Sequence, residues 1–222
     1  MTGVQTCALP IYFIYGFTDS ELRRKGRMTD HQRVRRAELE HTLGRPDPKS
    51  IELECAELLR LIAPEPQRLI LHTDEHPAYP RAIRRVPHLV IDQHTTSSRA
   101  VRTTRNPLFA INHTDSLIRH CCAEHKRETI AFARRRQCSA ERVWVFTVWK
   151  NWIKSYSEQK KDGSPAMRLG LTDHRWTVEE VLKERLFPSR IDLPERWADY
   201  YWRQIQTRRI SRCRTHKKVF AA

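Results

Sequence analysis

The chain has 222 residues, a length suited to one domain or to one domain with a small appendage. Hydrophobic residues make up 39% of it and the mean hydropathy is −0.68, so a core is possible but carries much charge around it. The formal net charge is +15 and the isoelectric point is near 10.0. Basic clusters recur along the whole length: Arg23-Arg24-Lys25, Arg33 to Arg36, Arg134-Arg135-Arg136, Arg208-Arg209 and Lys217-Lys218. Any one cluster is explained by a solvated surface, but their spread favours binding to phosphate backbones, and nucleic acid is the predicted partner.

Cysteine usage and hydropathy argue against a disulfide scaffold and against a membrane-spanning protein. The six cysteines are too few and too unpatterned for a disulfide scaffold. No run of about 18 apolar residues occurs, which argues against a membrane-spanning helix. A reducing, cytosolic location is therefore expected. A zinc site is conceivable beside the plainer interpretation of buried thiols on a helix, with ligands drawn from His120, Cys121, Cys122, His125 and Cys138.

The first eleven residues, MTGVQTCALPI, do not resemble the rest of the chain. They do not fit a secretory signal, because a basic start is missing and the apolar stretch is short and interrupted. The segment resembles the translation of a common short-read sequencing adapter, and back-translation reproduces that adapter. Residues 1–11 are therefore left out of the fold prediction, and the natural coding sequence is expected from about Tyr12 onward.

Residues 12–62 predict one strand followed by two helices. Residues 12–17 are aromatic and β-branched, which is typical of a strand. Thr29 can cap a helix that runs to Leu43 and is polar nearly all round, so that helix is expected to be exposed. Ser50 starts a second helix with apolar residues at helical spacing: Ile51, Cys55, Leu58, Leu59 and Ile62. A strand at residues 69–71 follows two prolines, so an α/β protein is predicted.

Asp74 comes directly after that apolar strand, and Pro77 and Tyr79 follow it. The end of a strand is where a sheet presents side chains to a ligand, and carboxylates bind hard cations such as Mg²⁺. In so basic a chain, this position predicts metal-dependent chemistry on a polyanion. One carboxylate cannot perform such chemistry alone, so partner residues are expected elsewhere. Residues 88–91 form a second short strand candidate.

A basic loop and a helix follow the second strand. Residues 94–105 are rich in hydroxyls and arginines, which are groups that contact phosphate and sugar oxygens, although a plain surface loop explains them too. A helix is predicted from Pro107 to about Glu124, with an apolar stripe of Ile111, Ile118 and Cys122. Asp115 falls on that stripe and Asn112 falls outside it. A carboxylate facing inward needs a metal or a cation, so Asp115 is either a metal ligand or the partner of an arginine.

The C-terminal half is predicted to be rich in helix. A helix from about Ala133 to Tyr156 has its apolar face at Val145, Val148, Trp149, Trp152 and Tyr156, a pattern more typical of a core than of a base-stacking platform. Residues 163–170 are a loop. Residues 192–222 form a basic tail whose Trp- and Arg-bearing part, residues 197–203, is expected to be a helix lying on the body or on DNA.

From Tyr12 to the C-terminus the chain resembles the C-terminal part of an insertion-sequence transposase of the DDE type. The segments that carry the resemblance are HTDEHPAYPRAIRR at residues 72–85, RNPLFAINHTDSLIRHCCAEHKRETIAF at 105–132, MRLGL at 167–171 and RLFPSRI at 185–191. The family has a ribonuclease H-like fold, with a mixed sheet flanked by helices and three acids that bind two divalent ions, Mg²⁺ or Mn²⁺. Those ions would activate water and then a DNA hydroxyl for attack on phosphodiesters.

The resemblance assigns roles to individual acids. Asp74 matches the second acid, which follows the fourth strand of that fold. Asp115 is the preferred third acid and Glu128 the alternative, while a simple register places Asn112 at the acid position. Asp19 is an upstream candidate for the first acid, but too few strands separate it from Asp74. The favoured interpretation is that the first acid is missing, so that the fold is N-terminally truncated and the chain is an inactive fragment.

These inferences give one set of expectations. Residues 1–11 are the adapter-like segment, 12–160 a partial ribonuclease H-like catalytic domain, and 161–222 a basic extension. The resemblance implies DNA ends and target DNA as partners, a homo-oligomer when intact, and a bacterial, nucleoid-associated location. A non-enzymatic basic DNA-binding protein and a nuclease of the same fold are the alternatives. The residues expected to contact DNA are Arg99, Arg102, Arg105, Lys126, Arg127, Arg134 and Arg135.

Overall fold

Helices and short strands alternate along the chain, which is a mixed α/β protein, as predicted. The computed structural model describes residues 2–8, 10–23, 25–126, 133, 135–184 and 190–205. The elements in that part are β1 (Thr2–Ala8), β2 (Ile14–Glu21), α1 (Asp30–Leu43), α2 (Ser50–Ile62), β3 (Gln67–Thr73), α3 (Ala78–Arg84), β4 (Leu89–Thr95), α4 (Phe109–Cys121), α5 (Arg136–Val148), α6 (Pro165–Arg168), α7 (Val178–Lys183) and α8 (Glu195–Tyr201). A 3-10 turn, Ala123–His125, follows α4, and a π-helical turn, Trp149–Ile153, follows α5. None of the described helices is long and apolar enough to cross a membrane.

The antiparallel pair of β1 and β2 forms the first sheet. Its strand β1 comes from the adapter-like segment that was left out of the fold prediction. The predicted strand at residues 12–17 is found, but it begins at Ile14 and extends to Glu21. Ile14 and Phe17 are fully buried, as expected for β-branched and aromatic residues on a packed strand face. The Asn151 side chain accepts from the Ile14 N–H at 2.9 Å and donates to the Ile14 carbonyl at 2.8 Å, so the backbone there is satisfied away from the sheet.

Helix α1 lies on the surface and has no buried residue, which confirms the prediction made from its polar composition. Thr29 and Gln32 form a capping box, in which each side chain bonds the other residue's backbone N–H. Glu40 pairs with Arg23 at 2.8 Å and with Arg36 at 3.5 Å. Because such pairs at a surface contribute little, the helix depends on its cap and its helix-forming residues.

The parallel pair of β3 and β4 is the second sheet, and α3 connects its two strands. One face packs against α2 and α3 in a core cluster of Ala56, Leu59, Ala63, Ala82, Val86 and Leu89, with Leu69, Leu71 and Ile91 against it. The opposite face carries Ile70 and Val90, which are 67% and 65% exposed. This alternation is the period of two that a half-covered strand shows. Both strands are longer than predicted, because polar residues extend them toward the Asp74 end.

The predicted apolar face of α4 was wrong in part, because Ile118 and Cys122 are buried but Ile111 is only partly buried. It begins at Phe109 and ends at Cys121, and its buried residues are Ala110, Thr114 and Ile118. Thr114 is tolerated inside because its hydroxyl donates to the Ala110 carbonyl at 2.9 Å. Asp115 therefore does not point into the core, and the prediction of an inward carboxylate was wrong. Its side chain is 42% exposed and lies 3.8 Å from Arg119 on the next turn.

The predicted apolar face of α5 was also wrong in part. Val145 is 71% exposed, while Ala140, Val143, Phe146 and Thr147 are buried. The π-helical turn that follows adds a residue to the turn and rotates later side chains, so Lys150 and Asn151 are buried beyond α5.

The described part of the basic tail packs against the body of the protein, which is one of the two placements predicted for it. Tyr200 of α8 is buried and belongs to a cluster with Phe17, Ala140, Val143 and Ile205. Trp197 packs beside that cluster and meets Trp144 edge to face, with ring centroids 5.5 Å apart. Helix α8 therefore closes the core over β2 and α5.

Candidate functional site

The carboxyl ends of β3 and β4 are held together by hydrogen bonds. The Thr96 N–H donates to the Thr73 carbonyl at 2.9 Å, one residue beyond β4. The Gln93 amide donates to the Thr73 hydroxyl at 2.8 Å. Glu75 accepts from both the backbone N–H and the hydroxyl of Ser98 at 2.9 Å. These bonds fix the loop after β4 beside the residues that follow β3.

A small cleft of about 50 Å³ opens at this end of the parallel pair. Its volume accommodates roughly three or four water-sized groups. The cleft is lined by Asp74, Ser97, Ser98, Ala100, Arg102, Asn106, Leu108 and Asn112. It therefore lies between the end of β3, the basic loop after β4 and the first turn of α4, which is the position where open α/β sheets bind ligands.

Asp74 is held at the cleft by the turn that leads into α3. One oxygen, Oδ1, accepts from the His76 N–H at 2.9 Å, and His76 Nδ1 accepts from the Ala78 N–H at 3.2 Å. This is the local side-chain-to-backbone bonding that aspartate favours in turns. The described residues give the second oxygen, Oδ2, no hydrogen bond, so it is available to a ligand in the cleft.

Tyr79 connects Asp74 electrostatically to α4. Burial, followed by the charges of Asp74, Cys55 and Asp115, raises the pKa of its phenol to about 12. Both carboxylates thus act on the same half-buried phenol, although only Asp74 lines the cleft. At neutral pH the phenol is protonated and carries no charge toward the cleft.

Asn112, and not Asp115, is the residue that α4 contributes to the cleft. Asp115 lies one helical turn farther along and pairs with Arg119, as stated above. Asp115 was the preferred residue because it falls on the predicted apolar stripe, whereas Asn112 was the alternative that a simple register places at the acid position. Asn112 lies three residues before Asp115 and so one turn nearer the helix start.

The predicted DNA-contacting residues divide into three groups. Arg99, Arg102 and Arg105 are exposed on the loop after β4, and Arg102 lines the cleft. Lys126 and Arg135 are exposed at either side of a gap in the described chain. Arg127 and Arg134 lie outside the described residues, as does Glu128, the alternative third acid.

The Asp19 carboxylate is buried and bonded to residues of the protein core. Its Oδ2 is 2.6 Å from Arg136 Nε, and its Oδ1 accepts from the Tyr200 hydroxyl at 2.7 Å. Burial and this carboxylate both raise the pKa of Tyr200. Arg196 lies 4.0 Å from the same carboxylate and bonds Glu54 at 2.6 Å. Asp19 therefore links β2, α5 and α8, and it does not line the Asp74 cleft.

The donors in the cleft fit one divalent ion better than two. Among the described residues that line it, Asp74 alone supplies a carboxylate, Asn112 supplies an amide oxygen, and the Ser98 hydroxyl is already bonded to Glu75. Mg²⁺ is often held by one or two carboxylates with water and phosphate oxygens, but a pair of ions needs more carboxylates than this. Nowhere in the part of the chain that the structure describes do three or more His, Cys, Asp or Glu side chains form a group that could hold a metal ion. The described cysteines that were considered as zinc ligands are not part of such a group: Cys121 and Cys138 are exposed and Cys122 is buried.

Comparisons of the chain with protein-family models, with curated proteins and with solved structures find no match.

Proposed function

We propose that the chain is a fragment of a DDE-type insertion-sequence transposase that binds DNA through the Asp74 cleft and is inactive in strand cleavage. The observation that carries the proposal is the position of Asp74, at the carboxyl end of a parallel strand and beside a loop with three exposed arginines. That arrangement puts an available carboxylate oxygen and cationic groups on one cleft. Phosphodiester chemistry assisted by a metal ion needs both.

A ribonuclease H-like architecture is part of the proposal. It is supported by the order of elements from α2 through β3, α3 and β4 to α4, with the acid between β3 and α3. In this proposal β2 and the parallel β3–β4 pair belong to one mixed sheet, and β1, which comes from the adapter-like segment, is not part of it. In this proposal α4 is the helix beside the metal-binding acid, and Asn112 is its residue that lines the same cleft.

The proposed cofactor is Mg²⁺ or Mn²⁺, with two ions expected in an intact enzyme. In this chain Asp74 and the Asn112 amide oxygen would hold one ion. A bound ion would polarise a phosphate oxygen and generate a nucleophile from water. Asp115 and Glu128 remain the candidates for a further acid: Asp115 faces Arg119, and Glu128 lies outside the described residues. The lack of a second carboxylate in the described cleft is the reason to expect binding without cleavage.

A second candidate is a basic DNA-binding protein with no enzymatic activity. The observation that favours it is the same cleft, which has one carboxylate and an amide where the two-metal reaction requires several acids. In that case Asp74 serves the turn into α3, through its bond to the His76 N–H. A nuclease of the same fold is distinguished from both by its products.

The test combines DNA binding with strand cleavage. Labelled duplex oligonucleotides are titrated with the chain at several salt concentrations, with and without Mn²⁺, and supercoiled plasmid is assayed for nicking and joining. The expected result is affinity that falls steeply with salt, a gain in affinity with Mn²⁺ that Asp74→Asn removes, and no cleavage.

Each other outcome selects a different function. DNA binding with no effect of Mn²⁺ or of Asp74→Asn supports the non-enzymatic protein. Nicking that depends on Asp74 and yields no joined ends identifies a nuclease, and joined ends contradict the expected inactivity. Failure to bind DNA at any salt concentration contradicts every DNA-based proposal. Asp92→Asn, which changes an exposed acid on β4 outside the cleft, is the matched control.

A further inference from the structure

The loop after β4 carries three arginines in one short stretch, and they do not have the same surroundings. Arg99, Arg102 and Arg105 are all exposed, and none of them makes a side-chain hydrogen bond or ion pair with the described residues. Arg102 alone among the three lines the Asp74 cleft. The chain thus contains one cleft-lining arginine and two neighbours of equal charge and similar exposure outside the cleft.

Most other polar groups of the cleft are already bonded within the loop. The Asn106 side chain donates to the Val101 carbonyl at 3.0 Å and accepts from the Leu108 N–H at 2.8 Å. Ser98 is bonded to Glu75 through both its N–H and its hydroxyl. These bonds shape the cleft wall, and they leave few groups for a ligand.

Three groups remain for a ligand among the described cleft residues. They are the Arg102 guanidinium, the Asn112 amide and the second carboxylate oxygen of Asp74. Two of them can donate hydrogen bonds, and one of those donors is a cation. A ligand that satisfies both donors has acceptor oxygens and a negative charge. A guanidinium binds phosphate through two parallel N–H···O bonds, which an ammonium cannot do.

We infer that this cleft binds one phosphate group of the DNA backbone through the Arg102 guanidinium and the N–H groups of the Asn112 amide. The inference rests on the proposed function and specifies how its site contacts DNA. The cleft of about 50 Å³ accommodates a few water-sized groups, which suits a small anionic group such as a phosphate. Arg102 is then a positioning residue for the phosphate nearest Asp74, whereas Arg99 and Arg105 add only to the general attraction for DNA.

The Asp74 carboxylate repels a phosphate in the same cleft when no cation lies between them. Replacing it by asparagine should tighten DNA binding in the absence of divalent ions, by about threefold to fivefold for a charge a few ångströms away in a watery cleft. That gain requires the phosphate to be in the cleft. It should therefore disappear when Arg102 is also replaced, and persist when Arg99 is replaced instead.

The first experiment measures the dissociation constant of a labelled duplex oligonucleotide, in a chelator, for the full chain and its single and double variants. Arg102→Gln should weaken binding by about tenfold or more, because a charge-assisted contact is lost. Arg99→Gln and Arg105→Gln should each weaken it by about twofold to threefold, as exposed charges do. Arg102→Lys should recover part of the loss and not all of it. Thermal melts of each variant check that the fold is unchanged.

The second experiment tests the phosphate site without DNA. The chain is treated with an arginine-specific dicarbonyl reagent in the presence and absence of inorganic phosphate, and modified sites are mapped by mass spectrometry. Phosphate should protect Arg102 selectively over Arg99 and Arg105. Asn112→Ala should reduce that protection, while Asp92→Asn should leave it intact.

The two experiments separate failure of the inference from failure of the proposed function. Three results would overturn the proposed phosphate site at Arg102 without affecting the proposal that the chain binds DNA. They are equal losses of affinity for the three arginine variants, a gain from Asp74→Asn that persists in the Arg102→Gln background, and equal protection of all three arginines by phosphate. Selective protection of Arg102 in a chain that does not bind DNA would keep the phosphate site and overturn the DNA proposal.

Discussion

Asp19 and Asp74 are two aspartates on or beside strands, and the molecule uses them in opposite ways. Both oxygens of Asp19 are bonded inside the body, one to Arg136 and one to the Tyr200 hydroxyl, and the residue is 4% exposed. Asp74 gives one oxygen to the turn into α3 and leaves the other facing a cleft. A carboxylate whose every oxygen is bonded in the interior stabilises the fold. A carboxylate with an available oxygen in a cleft is a candidate for chemistry, so bonding distinguishes the two where sequence position does not.

The largest effect that would test this comparison is on stability. Asp19→Asn should lower the free energy of unfolding by about 3–5 kcal/mol, because it removes two bonds of a buried carboxylate, one with Arg136 and one with the Tyr200 hydroxyl. Asp74→Asn should change that free energy by less than about 0.5 kcal/mol, because its environment is open to solvent. Urea unfolding followed by tryptophan fluorescence measures both. Equal destabilisation by the two substitutions would remove the distinction between a structural and an available aspartate.

Lys150 gives a second comparison with Asp19, because it is a buried cation with no carboxylate partner among the described residues. Lys150 is 1% exposed, its ammonium lies 5.4 Å from the centre of the Tyr12 ring, and the described residues give it no ion pair. Burial, and secondarily Lys154, lowers the pKa of Lys150 to about 8. Asp19 shows a buried charge that is compensated, and Lys150 shows one that is not.

The pH dependence follows from the sign of that shift. Between the folded pKa of about 8 and the unfolded value of 10.5, the unfolded chain binds more protons at Lys150 than the folded chain does. Stability should therefore rise with pH through this window, by roughly 2–4 kcal/mol from this group. Lys150→Met should raise stability at pH 7 and remove most of the rise, as measured by urea unfolding at several pH values. A rise of unchanged size in the variant would show that another group is responsible.

The sequence was sufficient for features that depend on strong local patterns. The polar α1, the apolar strands before Asp74 and the turn at Pro77 all follow from composition and period. The inward face of α4 could not be predicted this way, because Ala110 and Thr114 are small or polar and do not stand out beside Ile111. The burial of Lys150 depends on a π-helical turn. Such a turn produces no hydrophobic periodicity in the sequence from which it could be predicted. The place of Asn112 in the cleft wall depends on the position of the loop after β4. Hydrogen bonds between residues distant in sequence fix that position, so the sequence pattern could not predict it.

The smallest expected effect concerns the bond that positions this loop beside Asp74. Hydrogen bonds from the Ser98 backbone, and from the Ser97 and Ser98 side chains, lower the pKa of the exposed Glu75 carboxyl, so the carboxylate form is the one that holds the loop. The stabilisation is present above the ordinary pKa of glutamate and is lost as pH falls through the lowered value. Glu75→Gln should keep the global free energy of unfolding nearly unchanged and speed hydrogen exchange of the Ser98 amide. Glu57→Gln, which changes a partly exposed acid paired with Arg60 on its own helix, is the control. If Ser98 exchanges equally slowly in both variants, Glu75 does not hold the loop, and the shape of the cleft depends instead on the Thr96 and Gln93 bonds to Thr73.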